Sequence, residues 1–553
     1  YGFEAGFRQV TKSAQKKAEK EIQTTYQRIA NWETKLNNRL EEEQEWAEKL
    51  EVDNPNWWQR WQRSKLTNKI KKQLPLQDIY ANLQRLEQLN LRNIKHLLKL
   101  DYYYYLRHTL EHHRYEIQQF LKAIRSRTGT RRETFFANTE FEIVLSAFPI
   151  WLVSFSDLQR VLPQTKDLFD LVIIDEASQC DIASALPALQ RAKRALIVGD
   201  PQQLRHVSFL PKKRQQLFAE NYGLPLEQLE DELNFRERSL LDLALENVRK
   251  QGQVHLLNEH FRSHPRIIQF SNEQFYSDSL RLMTQTPSRQ GEESVFIKNV
   301  ENGKRVKRGY NKNEGEALIF FLRLRMTDEQ HLPVAQCSKI GILSPFREQV
   351  SWLQRNIANG FSLTELERHQ VLIGTAHEFQ GEERDLMFLS FALDNESHPS
   401  AFLFLNRTDV FNVSITRARR EIHLFKSFTQ EKLSSNWLIT KYLDYVENYR
   451  FPTVTATSAR DVALQEIIRA LRPHVSGRII PNYLMANIPL DILIWDDEKL
   501  LAIDLIAFAG EVGTALTTYQ IQILARVGVE VFPLAYSEWL INPLGVIQLI
   551  KEK

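Results

Sequence analysis

The stretch that most constrains the fold runs from Leu171 to Leu204, LVIIDEASQCDIASALPALQRAKRALIVGDPQQL. It holds two short apolar runs, Leu171–Ile174 and Ala195–Val198. Asp175 and Glu176 follow the first, and Gly199 and Asp200 follow the second. Apolar runs without polar alternation suit parallel strands buried on both faces. In such sheets ligands sit at the carboxyl ends of the strands, so Asp175 and Glu176 are expected where a nucleotide would lie. One carboxylate there can hold Mg²⁺ while its neighbour positions or deprotonates an attacking water. The amide of Gln203, just after Asp200, is placed to sense a terminal phosphate. An acidic pair after a single apolar run is equally the mark of a solvated strand end, so the remaining blocks of the chain have to decide.

DEAS followed by GDPQQL resembles motifs II and III of superfamily-one helicases, in the branch that holds the nonsense-mediated-decay helicase and its bacterial relatives. Three further blocks extend the resemblance in order. HFRSHP, with Arg262, is similar to motif IV; VLIGTAHEFQGEERDLMFLSF, from Val371 to Phe391, to motif V; and FNVSITRARREIHLF, from Phe411 to Phe425, to motif VI. The resemblance implies ATP and Mg²⁺ as cofactors and single-stranded DNA or RNA as partner. It implies that Asp175 holds Mg²⁺, Glu176 activates water and Gln203, beside Asp200, senses the γ-phosphate. Arg262 and Arg417 become the arginines that neutralise charge on the transferred phosphoryl group; Arg419 is the poorer candidate. Glu383 matches a carboxylate near the nucleotide. Thr375, His377 and Gln380 become contacts to nucleic acid or to the coupling interface, and Ser154 a weaker nucleic-acid contact. His377 stands where many relatives carry Asp, so no specific role follows for it. Read alone, Arg262 is better taken as an interdomain salt bridge and TRAR as a basic helix start packed on a strand; the other motifs in order favour the functional reading.

The implied fold class is α/β: two RecA-like parallel-sheet domains, a long helical insertion and a small C-terminal α/β nuclease-like domain. The expected boundaries are 1–138 for the helical arm inserted in the first RecA-like domain, 139–252 for the rest of that domain, 253–452 for the second, and 458–553 for the last. The arm is rich in Gln, Glu, Lys, Leu and Arg, with no glycine between Gly6 and Gly129, and is broken at Pro55 and Pro75. Residues 1–132 carry 26 Lys and Arg against 16 Asp and Glu, which suits a phosphate backbone but also a solvated helical arm. Trp57, Trp58 and Trp61, and Tyr102 to Tyr105, can stack on bases. The commoner use of such rings, packing helix on helix, is preferred here. Ile150–Val153 reads as a strand, Gly291–Asn313 as hairpins or a loop, and Pro452–Ser458 as a linker.

No G-x-x-x-x-G-K-[ST] string occurs; Gly303-Lys304 is followed by Arg305. The resemblance puts a P-loop before the arm, so an upstream segment or a protein partner is expected to supply it. The alternative is a non-hydrolysing remnant. The pattern after Asp461 (helix, hairpin strands, helix, strand) resembles the PD-(D/E)xK nuclease fold of the mismatch-repair-endonuclease type. That resemblance implies a metal at Asp491 and Asp504, joined by Glu466, but Ile506 stands where the pattern wants Lys. Residues 453–553 carry 8 Lys and Arg against 11 Asp and Glu, an unsuitable balance for a DNA-cutting surface. Weak or absent cleavage is therefore expected. Two cysteines, Cys180 and Cys337, exclude a disulfide framework and suit a reducing cytoplasm. No apolar run is long enough to cross a membrane. The expected function is a nucleic-acid-dependent ATPase and helicase in DNA repair or defence. A non-hydrolysing nucleic-acid-binding scaffold and a helicase-gated nuclease are the alternatives.

Overall fold

The structure, a computed structural model, describes residues 2–50, 56–206, 208, 210–224, 234, 236, 238–248, 252–451, 460–496, 499–508 and 515–553. Pro55 and the expected linker at 452–458 lie outside them.

Helix-favouring composition without glycine gives three long arm helices: α1 (Gly2–Leu50), α2 (Trp57–Ile70) and α3 (Leu76–His112). Gln15 donates to Asp101 at 2.6 Å, while Leu36 packs with Leu76, Ile79 and Leu83 at the other end. Helices α1 and α3 are therefore antiparallel. At the turn end α2 folds back on α1, with Ile70 against Trp46 and Leu50. Three shorter helices, α4 (Arg114–Arg125), α5 (Gly129–Ala137) and α6 (Phe141–Ala147), lead off the arm around Phe120, Phe136 and Phe141. The aromatic clusters depart from the packing expectation: Trp57, Trp58, Trp61, Tyr102, Tyr103 and Tyr105 are all exposed. The helix–helix seams are already filled, by Leu36, Leu76, Ile79 and Leu83 at one contact and by Trp46, Leu50 and Ile70 at the other, which leaves these rings outside.

Ile150–Val153 is not a strand. Trp151 and Val153 pack on the helical cluster around Phe120, while Ile150 and Leu152 stay exposed, so helices rather than a ladder meet the burial demand. After α7 (Phe155–Val161), strand β1 (Val172–Ile174) runs parallel to β2 (Ala195–Ile197) across the connecting helix α8 (Ile182–Gln190). One face is covered by Ala177, Ala185, Leu240 and Leu241. The other is open: the register partners Ile173 and Leu196 are 59% and 50% exposed. Burial on both faces, expected from the apolar runs, is thus met on one face only, because no described element covers the second.

The second α/β unit is a five-stranded, wholly parallel sheet in the order β5-β9-β8-β6-β7, with β5 (Val295–Asn299), β6 (Ile340–Leu343), β7 (Leu372–Gly374), β8 (Arg384–Asp394) and β9 (Ala418–Ser427). Two short parallel strands, β3 (Glu259–His260) and β4 (Arg281–Leu282), precede it. The segment 291–313 is not merely loop: it supplies the edge strand β5, held by Val295 in the main core. Gly315 is required where the helix Lys312–Asp328 meets Trp352, since a Cβ there would lie 2.1 Å from the indole ring. Glu314 beside it is fully buried and accepts from Ala392 N–H at 2.7 Å and from the hydroxyls of Ser390 and Ser427 at 2.8 and 3.0 Å. Burial outweighs these donors and pushes its pKa up to about 7.

The C-terminal unit orders its strands β10-β11-β12-β13, with β10 (Arg478–Met485), β11 (Ile488–Trp495) and β12 (Leu500–Ile506) antiparallel and β13 (Val529–Ala535) parallel to β12. Helices Arg460–Leu471 and Pro543–Glu552 cover one face. The arm covers the other: Leu36, Leu76, Ile79, Tyr80 and Leu83 share a core with Ala502 and Ile506. The unit also touches the second α/β unit, where Arg526 pairs with Glu259 and Asn487 donates to Leu280 O at 3.1 Å. No helix among the described residues is long and apolar enough to cross a membrane.

Glu314 generates a pH prediction. Its folded pKa lies above the unfolded value, so unfolding releases a proton between about 4.5 and 7. Stability is expected to fall as pH rises through that window and to level off above it. Thermal unfolding from pH 5 to 8 measures this, and Glu314→Gln should flatten the slope.

Candidate functional site: a cleft between two α/β units

The first-unit side of the cleft is made by the two strand ends. Asp175 and Glu176 leave β1 exposed, and Glu176 sits at φ 52°, in the left-handed region. A non-glycine residue there costs about 1–3 kcal/mol and is characteristically kept at functional sites. Asp175 accepts from the Glu176 N–H at 2.9 Å, and Glu176 from the Gln179 side chain at 2.8 Å. Gly199 lets β2 end against this turn: a Cβ would lie 3.2 Å from Ser178 N and 3.3 Å from Ala177 N. That close approach brings Asp200 beside the acidic pair.

Asp200 joins the two units. One carboxylate oxygen accepts from Gln202 N–H at 2.9 Å; the other accepts from the Gln203 amide at 3.0 Å and from the Tyr276 hydroxyl at 2.7 Å. Tyr276 lies just past the helix Pro265–Phe275, and its hydroxyl accepts from the Asn412 amide at 3.2 Å. Asn412 also donates to Gln202 O at 2.9 Å. Burial first, then the charge and hydrogen bond of Asp200, hold the Tyr276 hydroxyl firmly protonated. Beneath this, Leu204 is fully buried against Ala376, Val410 and Val413, and Gln380 donates to Leu204 O at 3.4 Å.

The second-unit side carries three guanidiniums. Glu383 pairs with both Arg262 and Arg419. Arg417 is buried, with its Nε donating to Val413 O at 3.2 Å. Its pKa falls to about 10, first through burial and then through Arg262; Glu176, Tyr276 and Asp200 pull it the other way. Those causes identify the neighbourhood: Arg417 feels acidic groups of the first unit and a cation of its own. Among the candidates Glu176, Asp200, Gln203, Arg262, Glu383 and Arg417 meet at one cleft, with Asp175 at its rim. Tyr276 and Asn412 also join the two units at the cleft, and sequence reasoning missed them. Asn412 lies inside the block from Phe411 to Phe425 and Tyr276 follows the HFRSHP block, but nothing local separates them from core residues.

The nucleic-acid candidates do not gather there as a set. Thr375 is buried and donates to Glu378, closing the turn after β7. Gln380 serves the interdomain contact, His377 is exposed, and Gly381 takes a left-handed φ of 76°. Ser154 caps α7, its hydroxyl accepting from Asp157 N–H at 3.3 Å.

In the C-terminal unit the register Ile492↔Ile503 sets Asp491 opposite Asp504. Asp491 accepts from Leu505 N–H at 2.8 Å, and Asp504, buried, accepts from Leu516 N–H at 2.9 Å. Tyr80 of the arm has its pKa raised, first by burial and then by the charge of Asp504. Ile506, in the lysine position, is buried in the core shared with the arm. Glu466 does not join the pair: its helix packs on the opposite face through Leu464, Ile467 and Ile468, and Glu466 is exposed. Elsewhere, Glu329, Cys337 and His369 offer ligand atoms within 4.8 Å of one another. The Glu329 carboxylate is engaged by Ser338, through N–H and hydroxyl at 2.7 Å each, which makes the cluster a clasp on its turn.

Two family models, each described as an AAA domain, match residues 5–209 and 236–427. An uncharacterized ATP-dependent helicase of Mycoplasma genitalium is 26% identical over 336 residues, 57% of this chain and 29% of the relative. Helicase SEN1 of Saccharomyces cerevisiae is 26% identical over 283 residues, 48% of this chain and 12% of the relative. A probable helicase of Arabidopsis thaliana, MAGATAMA 3, is 27% identical over 299 residues, 52% of this chain and 33% of the relative. The aligned part thus spans a third or less of these relatives.

Asp504→Ala removes the acceptor of a buried N–H and is expected to lower stability by about 1–3 kcal/mol in thermal unfolding. A cutting role would instead appear as lost metal-dependent cleavage with stability little changed. The two AAA-domain matches in tandem and the relatives named as helicases support a helicase of superfamily one.

Proposed function

We propose that the chain forms the motor of an ATP-driven helicase that moves on single-stranded DNA or RNA. The observation that carries this is the cleft itself: Glu176 and Asp200 from one α/β unit lie in the electrostatic reach of Arg417, which also feels Arg262. Arg262 and Arg419 share one carboxylate, Glu383, and Arg417 adds a third guanidinium in reach of Arg262, which leaves an electropositive wall suited to a polyphosphate.

The residues present fit ATP with Mg²⁺. Asp175 and Glu176 are exposed carboxylates, the hard oxygen donors that Mg²⁺ favours, and Asp175 would hold it. Bound Mg²⁺ neutralises charge on the phosphate oxygens. Glu176 orients the attacking water and takes its proton. Arg262 and Arg417 approach from the other unit and stabilise charge that builds on the transferred group. Gln203 is tied to Asp200 and, through it, to Tyr276, so a terminal phosphate that draws on the Gln203 amide would loosen the link between the units. Closure and release of that link would alternate tight and loose grips on the strand.

A P-loop, from elsewhere in the protein or from a partner, completes the site in this reading. The open face of β1 and β2, where Ile173 and Leu196 stand uncovered, supports it, since parallel sheets are normally covered on both faces. The proposed setting is DNA repair or defence in the cytoplasm, and the C-terminal unit acts as a scaffold for the arm rather than as a nuclease. The burial of Asp504 and Ile506 favours that assignment.

ATP hydrolysis by the chain joined to its P-loop segment, with and without single-stranded DNA or RNA, tests the motor. Turnover stimulated by a strand is expected, and Glu176→Gln should lower it by about 10²–10⁴-fold while nucleotide binding persists. A flat baseline in every condition would leave a non-hydrolysing nucleic-acid-binding scaffold as the better reading.

A further inference from the structure

The turn end of the arm carries a surface that the motor cleft does not use. Helix α2 begins with a capping box between Asn56 and Gln59 and presents two unlike faces. Leu66 and Ile70 point one way and join Trp46 and Leu50 of α1, with Ile541 of the C-terminal unit alongside. Trp57, Trp58 and Trp61, at helical spacing i, i+1 and i+4, point the other way and are 77%, 49% and 45% exposed.

The rings form a small stack. Trp58 and Trp61 lie face to face, centroids 4.9 Å apart at 22°, and Trp57 meets Trp58 edge-on at 5.7 Å. The Lys65 ammonium sits 3.8 Å from the Trp61 ring centroid. Trp61 is thus engaged by two neighbours and acts as support, while Trp57, the most exposed ring, is open to a further planar group. From Trp57 to Lys72 there are six cations (Arg60, Arg63, Lys65, Lys69, Lys71 and Lys72) and no Asp or Glu. Lys69 is committed to Glu42 at 2.9 Å, while Lys65, Lys71 and Lys72 are exposed.

We infer that this face of α2 binds single-stranded nucleic acid, with unpaired bases stacking on Trp57 and Trp58 and phosphates on the surrounding lysines. Exposed aromatics set among cations meet the two needs of such a ligand, a π-face for each base and a counter-charge for each phosphate. A duplex offers no free base face. An anionic membrane would want the apolar residues of the helix on one side, whereas Leu66 and Ile70 are already spent on α1. The inference rests on the nucleic-acid reading of the motor and adds a second contact to the strand, made by residues that do not belong to the cleft.

The test is binding of 20-nucleotide oligothymidine and oligouridine to the full chain, followed by tryptophan fluorescence and by titration at several salt concentrations. Trp57→Ala/Trp58→Ala/Trp61→Ala, confirmed as folded by circular dichroism, should weaken binding by about tenfold or more, abolish most of the quenching and leave the salt slope unchanged. Lys65→Glu/Lys71→Glu/Lys72→Glu should instead flatten the salt slope. Equal affinity of parent and tryptophan variant overturns the proposal and leaves the motor reading standing. A parent chain that binds no strand at all overturns both. Tryptophan-dependent binding to phosphatidylserine vesicles, with strand affinity unaltered, would assign the face to a membrane and overturn it as well.

Discussion

The hydrogen bond from the Tyr276 hydroxyl to Asp200 is the contact on which the arrangement of the cleft depends. Asp200 ends a strand of one α/β unit and Tyr276 follows a helix of the other, so this 2.7 Å bond fixes where the two units meet. Asn412 supports the Tyr276 hydroxyl and reaches back to Gln202, and Leu204 fills the apolar space below. A half-buried polar network of this kind holds while its hydrogen bonds are kept, and here they are made by residues of both units. Movement between the units must break it, which makes the Gln203–Asp200–Tyr276 chain a natural place for nucleotide state to act.

The second structural theme is the arm. It is long, basic and exposed along most of its length, yet its turn end is anchored. Leu36, Leu76, Ile79 and Leu83 close the face of the C-terminal sheet that carries Asp504 and Ile506. The C-terminal unit is in turn tied to the second α/β unit through Arg526 and Glu259 and through Asn487. It therefore bridges the arm and the second α/β unit. An isoleucine at 506, where the nuclease pattern would want lysine, suits this setting, because a lysine would have to be buried in an apolar core.

Much of the cleft was legible in the sequence because its residues are carried on short blocks with local rules. Apolar runs followed by Asp175, Glu176 and Asp200 announce strand ends, and Arg262 and Arg417 stand in blocks of matching order. Tyr276 and Asn412 escaped notice because a tyrosine after a helix and an asparagine inside one look like packing residues until the opposite unit is in place. Ile150–Val153 misled for a related reason: an apolar run records a demand for burial, and helices around Phe120 met it without a ladder. The tryptophans of α2 misled in the opposite sense, since their aromatic character says nothing of which face of the helix Leu66 and Ile70 would claim.

By itself the sequence determined the helical arm, through composition and the absence of glycine, and the parallel strands with acidic ends, through unbroken apolar runs. These are local properties, set by backbone propensity and by the period of the apolar pattern. Only the tertiary structure decided that Glu176, Asp200, Arg262 and Arg417 share a cleft, that Asp504 lies beneath the arm, and that Trp57 faces solvent. Each of those outcomes depends on contacts between segments tens to hundreds of residues apart, which no local pattern encodes.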